Sequence, residues 1–186
     1  MDELEDKELN RILSSFSCEQ DEDIEVFLRE RAVKFEQLSK SCTYLAFDQD
    51  QLQKGYESLA VYGYISVALK VLSVPDYTSN RVRKELDGLS AKIHGTRIDD
   101  FPCYLIGQLA RSSSVPKDSI TGKQLVDFAF DVISAAVNAV GGRYVMIECH
   151  DDEKLVGFYR QNGFFEIARI PDKDKPMVQM VCKIIQ

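Results

Sequence analysis

A stretch with the composition of an anion-binding loop precedes the clearest helical pattern of the chain. It covers residues 115–123, where Gly122 permits close approach of a ligand and Lys117 and Lys123 supply positive charge. The first amides of a helix lack intrahelical acceptors and lie at the positive end of the helix dipole, so they attract phosphate groups. This stretch, called the phosphate loop below, therefore indicates phosphate binding, with a capped helix start and no ligand as the alternative.

Two established phosphate-binding motifs do not fit the phosphate loop. A P-loop requires a glycine five residues before Gly-Lys and a Ser or Thr after it, but Lys117 and Gln124 occupy those positions. A dinucleotide fingerprint requires three glycines, and only Gly122 is present. Thr121 and Gln124 do fit a capping box, which predicts that the helix begins at Thr121.

A second stretch joins a predicted helix to a predicted strand. Leu155, Phe158 and Tyr159 share one apolar helix face, and Gly163-Phe164 follows. A tyrosine on such a face usually belongs to the core, with its hydroxyl hydrogen-bonded. The pattern Phe-Tyr-x-x-x-Gly-Phe, one strand and one helix after the phosphate loop, is nevertheless more specific than either stretch alone.

Composition and charge exclude several classes of protein. The 186 residues are 45% hydrophobic and 28% charged, which suits one compact domain. The net charge of -7 weighs against nucleic acid or an anionic membrane as a general partner. No apolar run reaches the ~20 residues of a membrane span, and the acidic first residues do not fit a signal peptide. Five cysteines without a CxxC pair indicate reduced thiols in a cytoplasmic protein without a metal.

Hydrophobic periodicity predicts the elements that position the two stretches. Helices are expected within the first ~40 residues, with the apolar stripe Ile24, Phe27, Leu28, Ala32, Phe35 and Leu38, and at 79–93, 121–140 and 152–161. Strands are expected at 43–47, 59–69, 103–110, 144–149, 164–170 and 177–184, with polar turns at 48–55 and 171–176. This order predicts a mixed α/β protein in which helices cover one sheet.

The element order and the Phe158-Tyr159…Gly163-Phe164 pattern resemble the GCN5-related N-acetyltransferases, which use acetyl-CoA. The resemblance runs from about Tyr44 to the C-terminus. It implies a mostly antiparallel central sheet split between two parallel strands, with helices on both faces. It also implies a single domain of residues 1–186, with N-terminal helices in 1–40 and an acyl-CoA-binding core in 43–186. The two leading helices and Ile106-Gly107-Gln108-Leu109-Ala110 are similar to the toxin subgroup of toxin–antitoxin pairs.

The phosphate loop departs from the family pattern Q/R-x-x-G-x-G/A. Placing Gly122 on the last glycine puts Lys117 at the Gln/Arg position and Ile120 at the first glycine. The loss of one glycine means a different loop shape or weaker cofactor binding. Asp152 stands where the family often has an asparagine that contacts CoA.

By the same resemblance, one set of residues would bind acetyl-CoA, through backbone amides for the pantetheine arm and the diphosphate. The set is Leu109, Ala110, Arg111, Lys117, Asp118, Ser119, Ile120, Thr121, Gly122, Lys123, Asp152 and Phe158. An amide near Leu109 would face the thioester oxygen, and no metal takes part.

The resemblance also implies catalytic roles. Tyr159 is the expected general acid toward the CoA thiolate, because an ordinary tyrosine pKa of ~10 keeps the phenol protonated at neutral pH. Glu148 is the best candidate base, although a strand-end glutamate in solvent or in an ion pair is the alternative. His150 could serve instead, Gln108 could position a substrate, and thiol catalysis by Cys149 lacks a supporting third group.

The implied reaction transfers an acetyl group from acetyl-CoA to a primary amine of a small molecule or protein, by direct attack in a ternary complex. The toxin subgroup implies aminoacyl-tRNA as the alternative acceptor, and a non-catalytic acyl-CoA-binding module is a third interpretation. The basic residues that could contact tRNA are Arg29, Arg31, Lys34, Arg81, Arg83, Lys84 and Arg143. The N-terminal helices either cap the substrate cleft or form a homodimer face.

Overall fold

The computed structural model describes residues 6–87, 92–93, 96–97, 99–171 and 175–184. The helices are α1 (Asp6–Ser14), α2 (Glu22–Val26), a π-helical turn (Phe27–Arg31), α3 (Ala32–Gln37), α4 (Gln49–Lys54), a 3-10 turn (Tyr56–Ser58), α5 (Asn80–Asp87), α6 (Gly122–Val140) and α7 (Glu153–Gln161). The strands are β1 (Cys42–Ala46), β2 (Gly63–Ser73), β3 (Lys92–Ile93), β4 (Thr96–Arg97), β5 (Asp100–Arg111), β6 (Tyr144–His150), β7 (Phe165–Ile170) and β8 (Met177–Lys183).

The strands confirm a mixed α/β fold with one parallel pair. Six strands form a sheet in the order β1-β2-β5-β6-β8-β7, and β3 pairs with β4. The pairs β1–β2, β6–β8 and β7–β8 are antiparallel, whereas β5–β6 is parallel. The parallel register contains Tyr104 opposite Val145 and Leu105 opposite Met146.

The chain divides into two compact units. Met1–Ala68 and Ile106–Ile133 form the first unit, and Leu69–Leu105 and Ser134–Gln186 form the second. In the first unit, a buried Tyr64 lies against Phe16 with ring centroids 5.1 Å apart and donates a hydrogen bond to the backbone oxygen of Ile24 at 2.7 Å. In the second, the hydroxyl of Tyr144 donates to the backbone oxygen of Leu86 at 2.6 Å. Each unit therefore has an aromatic hydroxyl that ties a strand to a helix.

Three predicted elements differ from the observed ones. The polar stretch 48–55 contains α4, because the Asp48 side chain accepts hydrogen bonds from the amides of Asp50 and Gln51 at 3.0 and 3.1 Å and caps the helix. The strand expected at 59–69 begins at Gly63 and extends to Ser73. The helix expected at 79–93 ends at Asp87, and Ile93 belongs to β3.

The other predicted elements agree within three residues, and the largest difference is at the start of β5, which begins at Asp100 rather than at residue 103. The apolar stripe of the N-terminal helices is interrupted by the π-helical turn, and its last member, Leu38, is exposed. Part of the helix expected at 79–93 and part of the turn expected at 171–176 lie outside the described residues. Within the described ranges, no helix is both long and apolar enough to cross a bilayer.

We expect Gly142→Ala to destabilise the protein far more than Gly141→Ala. Both glycines follow α6 with positive φ, 80° for Gly141 and 125° for Gly142. A Cβ on Gly142 would lie 2.5 Å from a ring carbon of Tyr104, whose hydroxyl is held by the Gly141 backbone oxygen at 2.6 Å. A Cβ on Gly141 meets nothing within 4 Å. The expected losses in unfolding free energy are about 2–4 kcal/mol and about 1 kcal/mol respectively.

Urea denaturation of the two variants measures this difference. Equal losses for both variants would contradict the close contact with Tyr104, because left-handed strain alone would then account for both.

Candidate active site

The phosphate loop ends in the predicted capping box. The amide of Thr121 donates to Oε1 of Gln124 at 2.8 Å, and the amide of Gln124 donates to Oγ1 of Thr121 at 3.2 Å. The helical bond from the Leu125 amide to the Thr121 oxygen follows at 3.2 Å. The amides of Gly122 and Lys123 have no acceptor among the described residues. Two adjacent donors at the start of α6 are therefore available to an anion.

Contacts within the phosphate loop hold its middle. The Arg111 guanidinium donates to the backbone oxygen of Lys117 at 2.5 Å, and the Ser119 amide donates to the backbone oxygen of Pro116 at 3.1 Å. Nζ of Lys123 lies 2.7 Å from the Asp127 carboxylate, so this lysine is less available to a ligand than its charge suggests. The loop is bent back on itself by its own side chains and backbone.

The first unit contains ten of the twelve residues predicted to bind the cofactor. They differ in exposure. Lys117, Asp118, Ser119, Thr121 and Lys123 are exposed, Leu109, Arg111, Ile120 and Gly122 are half-buried, and Ala110 is buried. Ile120 replaces a glycine of the family pattern, and its half-buried side chain occupies space that a glycine would leave open.

The second unit contains the predicted acid, Tyr159, on α7. Its side chain is 7% exposed, and its ring lies 5.1 Å from the Phe158 ring and 5.6 Å from the Phe164 ring. Burial, followed by the neighbouring Cys149 thiol, raises the pKa of the Tyr159 phenol above its ordinary value. The phenol is therefore protonated at neutral pH, as the sequence predicts.

The Tyr159 hydroxyl makes no hydrogen bond to any part of the chain that the structure describes, and it is not among the fully enclosed unpaired atoms, which are Oγ of Ser41 and Oγ1 of Thr78. The hydroxyls of core tyrosines are usually hydrogen-bonded within the protein. The expectation that the hydroxyl of a core tyrosine is satisfied within the protein is therefore not met here. The phenol is a donor available to a bound molecule.

Asp152 and Phe158 complete the cofactor set in the second unit. The Asp152 carboxylate accepts a hydrogen bond from the Leu155 amide at 2.9 Å and caps α7. This capping role was not predicted, and it leaves the carboxylate less free to contact CoA. Phe158 is half-buried beside Tyr159.

The predicted base, Glu148, is held in an ion pair. Its two carboxylate oxygens each lie 2.9 Å from Nζ of Lys70, and its Oε1 accepts from Nε2 of Gln179 at 2.8 Å. Burial alone would raise the pKa of Glu148, but the hydrogen bonds and the charge of Lys70 outweigh burial and lower it. A carboxylate with a lowered pKa is a weaker base, so the ion-pair alternative describes Glu148 well, and its role as base stays a prediction.

Other predicted groups have distinct environments. Burial, followed by nearby carboxylates, raises the pKa of Cys149 to about 11, which disfavours the thiolate that covalent catalysis needs. Neighbouring residues of a strand point to opposite faces, so Glu148 does not share the face of β6 on which Cys149 lies near Tyr159. His150 and Gln108 are half-buried. No group of three or more potential metal-binding side chains occurs among the described residues.

Two of the predicted basic contacts are occupied by the protein itself. Arg83 is 2% exposed, pairs with Asp99, and donates to the Thr78 backbone oxygen at 3.2 Å. It is a structural residue, and its prediction as a contributor to an RNA-binding face is wrong. Arg29 pairs with Glu25 at 2.5 Å. The exposed members of the predicted set are Arg29, Arg31, Lys34, Arg81, Lys84 and Arg143.

Sequence comparisons identify no relative: no family model and no curated protein matches the chain. Solved structures do match. KacT with one tyrosine replaced by phenylalanine has a TM-score of 0.65 and 20% identity, over 90% of this chain and 85% of that one. AtaT complexed with acetyl-methionyl-tRNAfMet has a TM-score of 0.63 and 20% identity, over 89% of this chain and 85% of that one.

A third match is an AtaT mutant toxin bound to acetyl-CoA and to the C-terminus of the antitoxin AtaR. Its TM-score is 0.58 at 20% identity, over 90% of this chain and 83% of that chain. These similarities show the fold. The chain has the fold of the GCN5-related N-acetyltransferases, as the resemblance implied, and its neighbours in structure include toxins.

We expect Lys70→Met to lower the unfolding free energy by about 1 kcal/mol at pH 7, because it leaves a half-buried carboxylate without its cation. The pKa of Glu148 is lowered on folding, so the pair stabilises the protein above the unfolded-state pKa. This stabilisation is lost as the pH falls through the folded-state pKa. The difference in unfolding free energy between wild type and Lys70→Met should therefore be smaller at about pH 3.5 than at pH 7.

Urea denaturation at both pH values measures the effect. Lys123→Met is the matched control. It breaks an exposed ion pair with Asp127, one helical turn further on, and should change the unfolding free energy by about 0.5 kcal/mol or less. A Lys70→Met effect that is independent of pH would contradict the assignment.

Proposed function

We propose that this protein is an N-acetyltransferase that uses acetyl-CoA and acetylates the amine of an aminoacyl-tRNA. The observation that carries the catalytic part is the protonated hydroxyl of the largely buried Tyr159, from which no described residue accepts a hydrogen bond. The free amides of Gly122 and Lys123 at the start of α6 support the cofactor part. The fold supports both, because it is shared with proteins whose structures contain acetyl-CoA.

The residues of the chain fit the groups of acetyl-CoA by chemistry. The cofactor supplies an activated acetyl thioester. The amides of Gly122 and Lys123 would bind diphosphate oxygens, with Lys117 as a nearby cation. An amide near Leu109 would stabilise the oxyanion. Asp152 caps α7 and contributes to orienting the helix that bears the acid.

Tyr159 would supply the proton that the reaction needs. The attacking amine forms the C–N bond, the C–S bond breaks, and the phenol donates its proton to the leaving sulfur. The amine loses one proton to a base or to water, and that proton restores the phenol after release. Glu148 is the candidate for the base, although its low pKa and its pairing with Lys70 make it a weak one.

One comparison supports aminoacyl-tRNA over the small-molecule or protein amine. AtaT is seen with acetyl-methionyl-tRNAfMet, which is the product of acetylating an aminoacyl-tRNA. Another structure is an AtaT toxin with acetyl-CoA and antitoxin. The net charge of -7 favours the competing candidate, a small or basic amine acceptor, because it gives no general attraction for RNA.

We expect Tyr159→Phe to lower kcat by about 10- to 100-fold with little change in the KM for acetyl-CoA, because only the proton donor is lost. Steady-state release of CoA thiol measures both constants. Tyr77→Phe is the matched control: the residue is in the same unit, 74% exposed, and should turn over normally. Normal turnover of Tyr159→Phe would remove Tyr159 from the role of acid.

The acceptor is tested with Met-tRNA and with a panel of small amines and basic peptides. Acetylation of Met-tRNA, with tRNA binding that weakens steeply as salt rises, would support the proposal. Acetylation of the small amines alone would overturn the choice of acceptor. Binding of acetyl-CoA by calorimetry without thiol release for any acceptor would favour a non-catalytic acyl-CoA-binding module.

A further inference from the structure

Five serines of the first unit form a hydrogen-bonded cluster at the start of the phosphate loop. The cluster, called the serine clamp, consists of Ser15, Ser17, Ser112, Ser113 and Ser114, and joins the segment after α1 to the residues after β5. Side-chain and backbone groups from both segments take part. Nothing in the sequence apart from the Ser112–Ser113–Ser114 run indicates it.

Ser112 is the centre of the serine clamp. It is 4% exposed, and its Oγ accepts hydrogen bonds from the amides of Ser17 at 3.3 Å and Ser114 at 3.2 Å. The same Oγ lies 2.7 Å from Oγ of Ser114. Its own amide donates to the Tyr62 backbone oxygen at 2.8 Å. Removing this single hydroxyl would leave two amide donors without that acceptor.

Hydrogen bonds run in both directions between the two segments of the clamp. The Ser113 amide donates to the Ser17 backbone oxygen at 2.8 Å, and the Glu19 amide donates to Oγ of Ser113 at 3.1 Å. Oγ of Ser114 donates to the Ser15 backbone oxygen at 3.0 Å. Contacts from residues 15, 17 and 19 therefore meet three consecutive residues that lead into the phosphate loop.

The clamp is anchored on its other side. Oγ of Ser15 accepts from the Val61 amide at 2.9 Å and donates to the backbone oxygen of Ile12 in α1 at 2.6 Å. The start of the phosphate loop is thus joined to α1 and to the residues that precede β2. The capping box fixes the other end of the loop, at Thr121.

We propose that the serine clamp, through Ser112, positions the phosphate loop for the diphosphate of acetyl-CoA. This inference rests on the proposed function. With both ends fixed and Arg111 bonded to the backbone oxygen of Lys117, little loop motion has to be lost when a ligand binds. Such pre-organisation offsets the loss of the glycine that Ile120 replaces. Ser112 is a positioning residue, since it acts through the loop rather than on the ligand.

The test compares two acetyl donors in wild type and Ser112→Ala. We expect the KM and Kd for acetyl-CoA to rise about tenfold, the scale of one net hydrogen bond. The KM for S-acetyl-pantetheine, which lacks the diphosphate, should not change, and kcat should not change for either donor. A general loss of structure would impair both donors alike.

The controls separate the clamp from burial of a serine. Ser41→Ala removes a hydroxyl of similar burial, 9% exposed, in the same unit, and that hydroxyl has no partner among the described residues. It should bind acetyl-CoA as wild type does. Ser114→Ala removes one exposed member of the clamp and should show a smaller increase in the same KM, which keeps the test available if Ser112→Ala does not fold.

The outcomes distinguish the two proposals. If wild type fails to bind acetyl-CoA, the proposed function is overturned, and the inference with it. If wild type binds acetyl-CoA and both Ser112→Ala and Ser114→Ala bind it equally well, only the role of the clamp is overturned. A rise in KM for acetyl-CoA and for S-acetyl-pantetheine by the same factor also overturns it, since the effect would not depend on the diphosphate.

Discussion

The capping box at the start of α6 decides which donors the phosphate loop can offer. A helix start has four amides without intrahelical acceptors, and a capping side chain removes some of them from use. Here Thr121 and Gln124 satisfy each other and leave Gly122 and Lys123. The donors available to the proposed phosphate site in the first unit follow from this division, because the side chains of the loop provide few free cations.

In the second unit, two neighbouring strand residues are both partly buried, yet their pKa values shift in opposite directions. At Cys149, burial, followed by nearby carboxylates, raises the pKa of the thiol. Glu148 has Lys70 and Gln179, and their donors more than compensate for burial. The same low-polarity surroundings therefore keep one group neutral and the other charged, and a partner side chain makes the difference. Burial raises the pKa of the Tyr159 phenol in the same direction as that of the Cys149 thiol, so the phenol remains protonated.

The phosphate loop lacks one glycine of the family pattern, and hydrogen bonds elsewhere restrict the motion of the same loop. Glycine at that position would permit a ligand to approach the backbone closely. Ile120 restricts that approach, while the serine clamp and the bond from Arg111 to Lys117 restrict the motion of the loop. A loop with fewer accessible conformations loses less entropy on binding, and in the proposed site this would compensate for a less open surface.

Local patterns in the sequence were sufficient for the elements whose ends have chemical signals. The start of α6 at Thr121, its end at Gly141, and the helix carrying Tyr159 follow from capping residues and apolar spacing, which act within a few residues. The local pattern does not reveal α4, because Asp48, which caps this helix, is equally typical of a polar turn. The apolar spacing over 79–93 also predicts a helix that includes Ile93. Ile93 belongs to β3 instead, because apolar spacing carries no information about strand pairing.

The sequence by itself determined the class of fold, the capping box and the protonated state expected of Tyr159, since these depend on residue type and short spacing. Only the tertiary structure decided that Glu148 is paired with Lys70, that Arg83 is buried, and that Ser112 meets Ser17. These contacts join residues far apart along the chain, and no local periodicity encodes which distant partner a polar side chain will reach. Burial and pairing, which set the charge and the reactivity of each group, are properties of the folded chain alone.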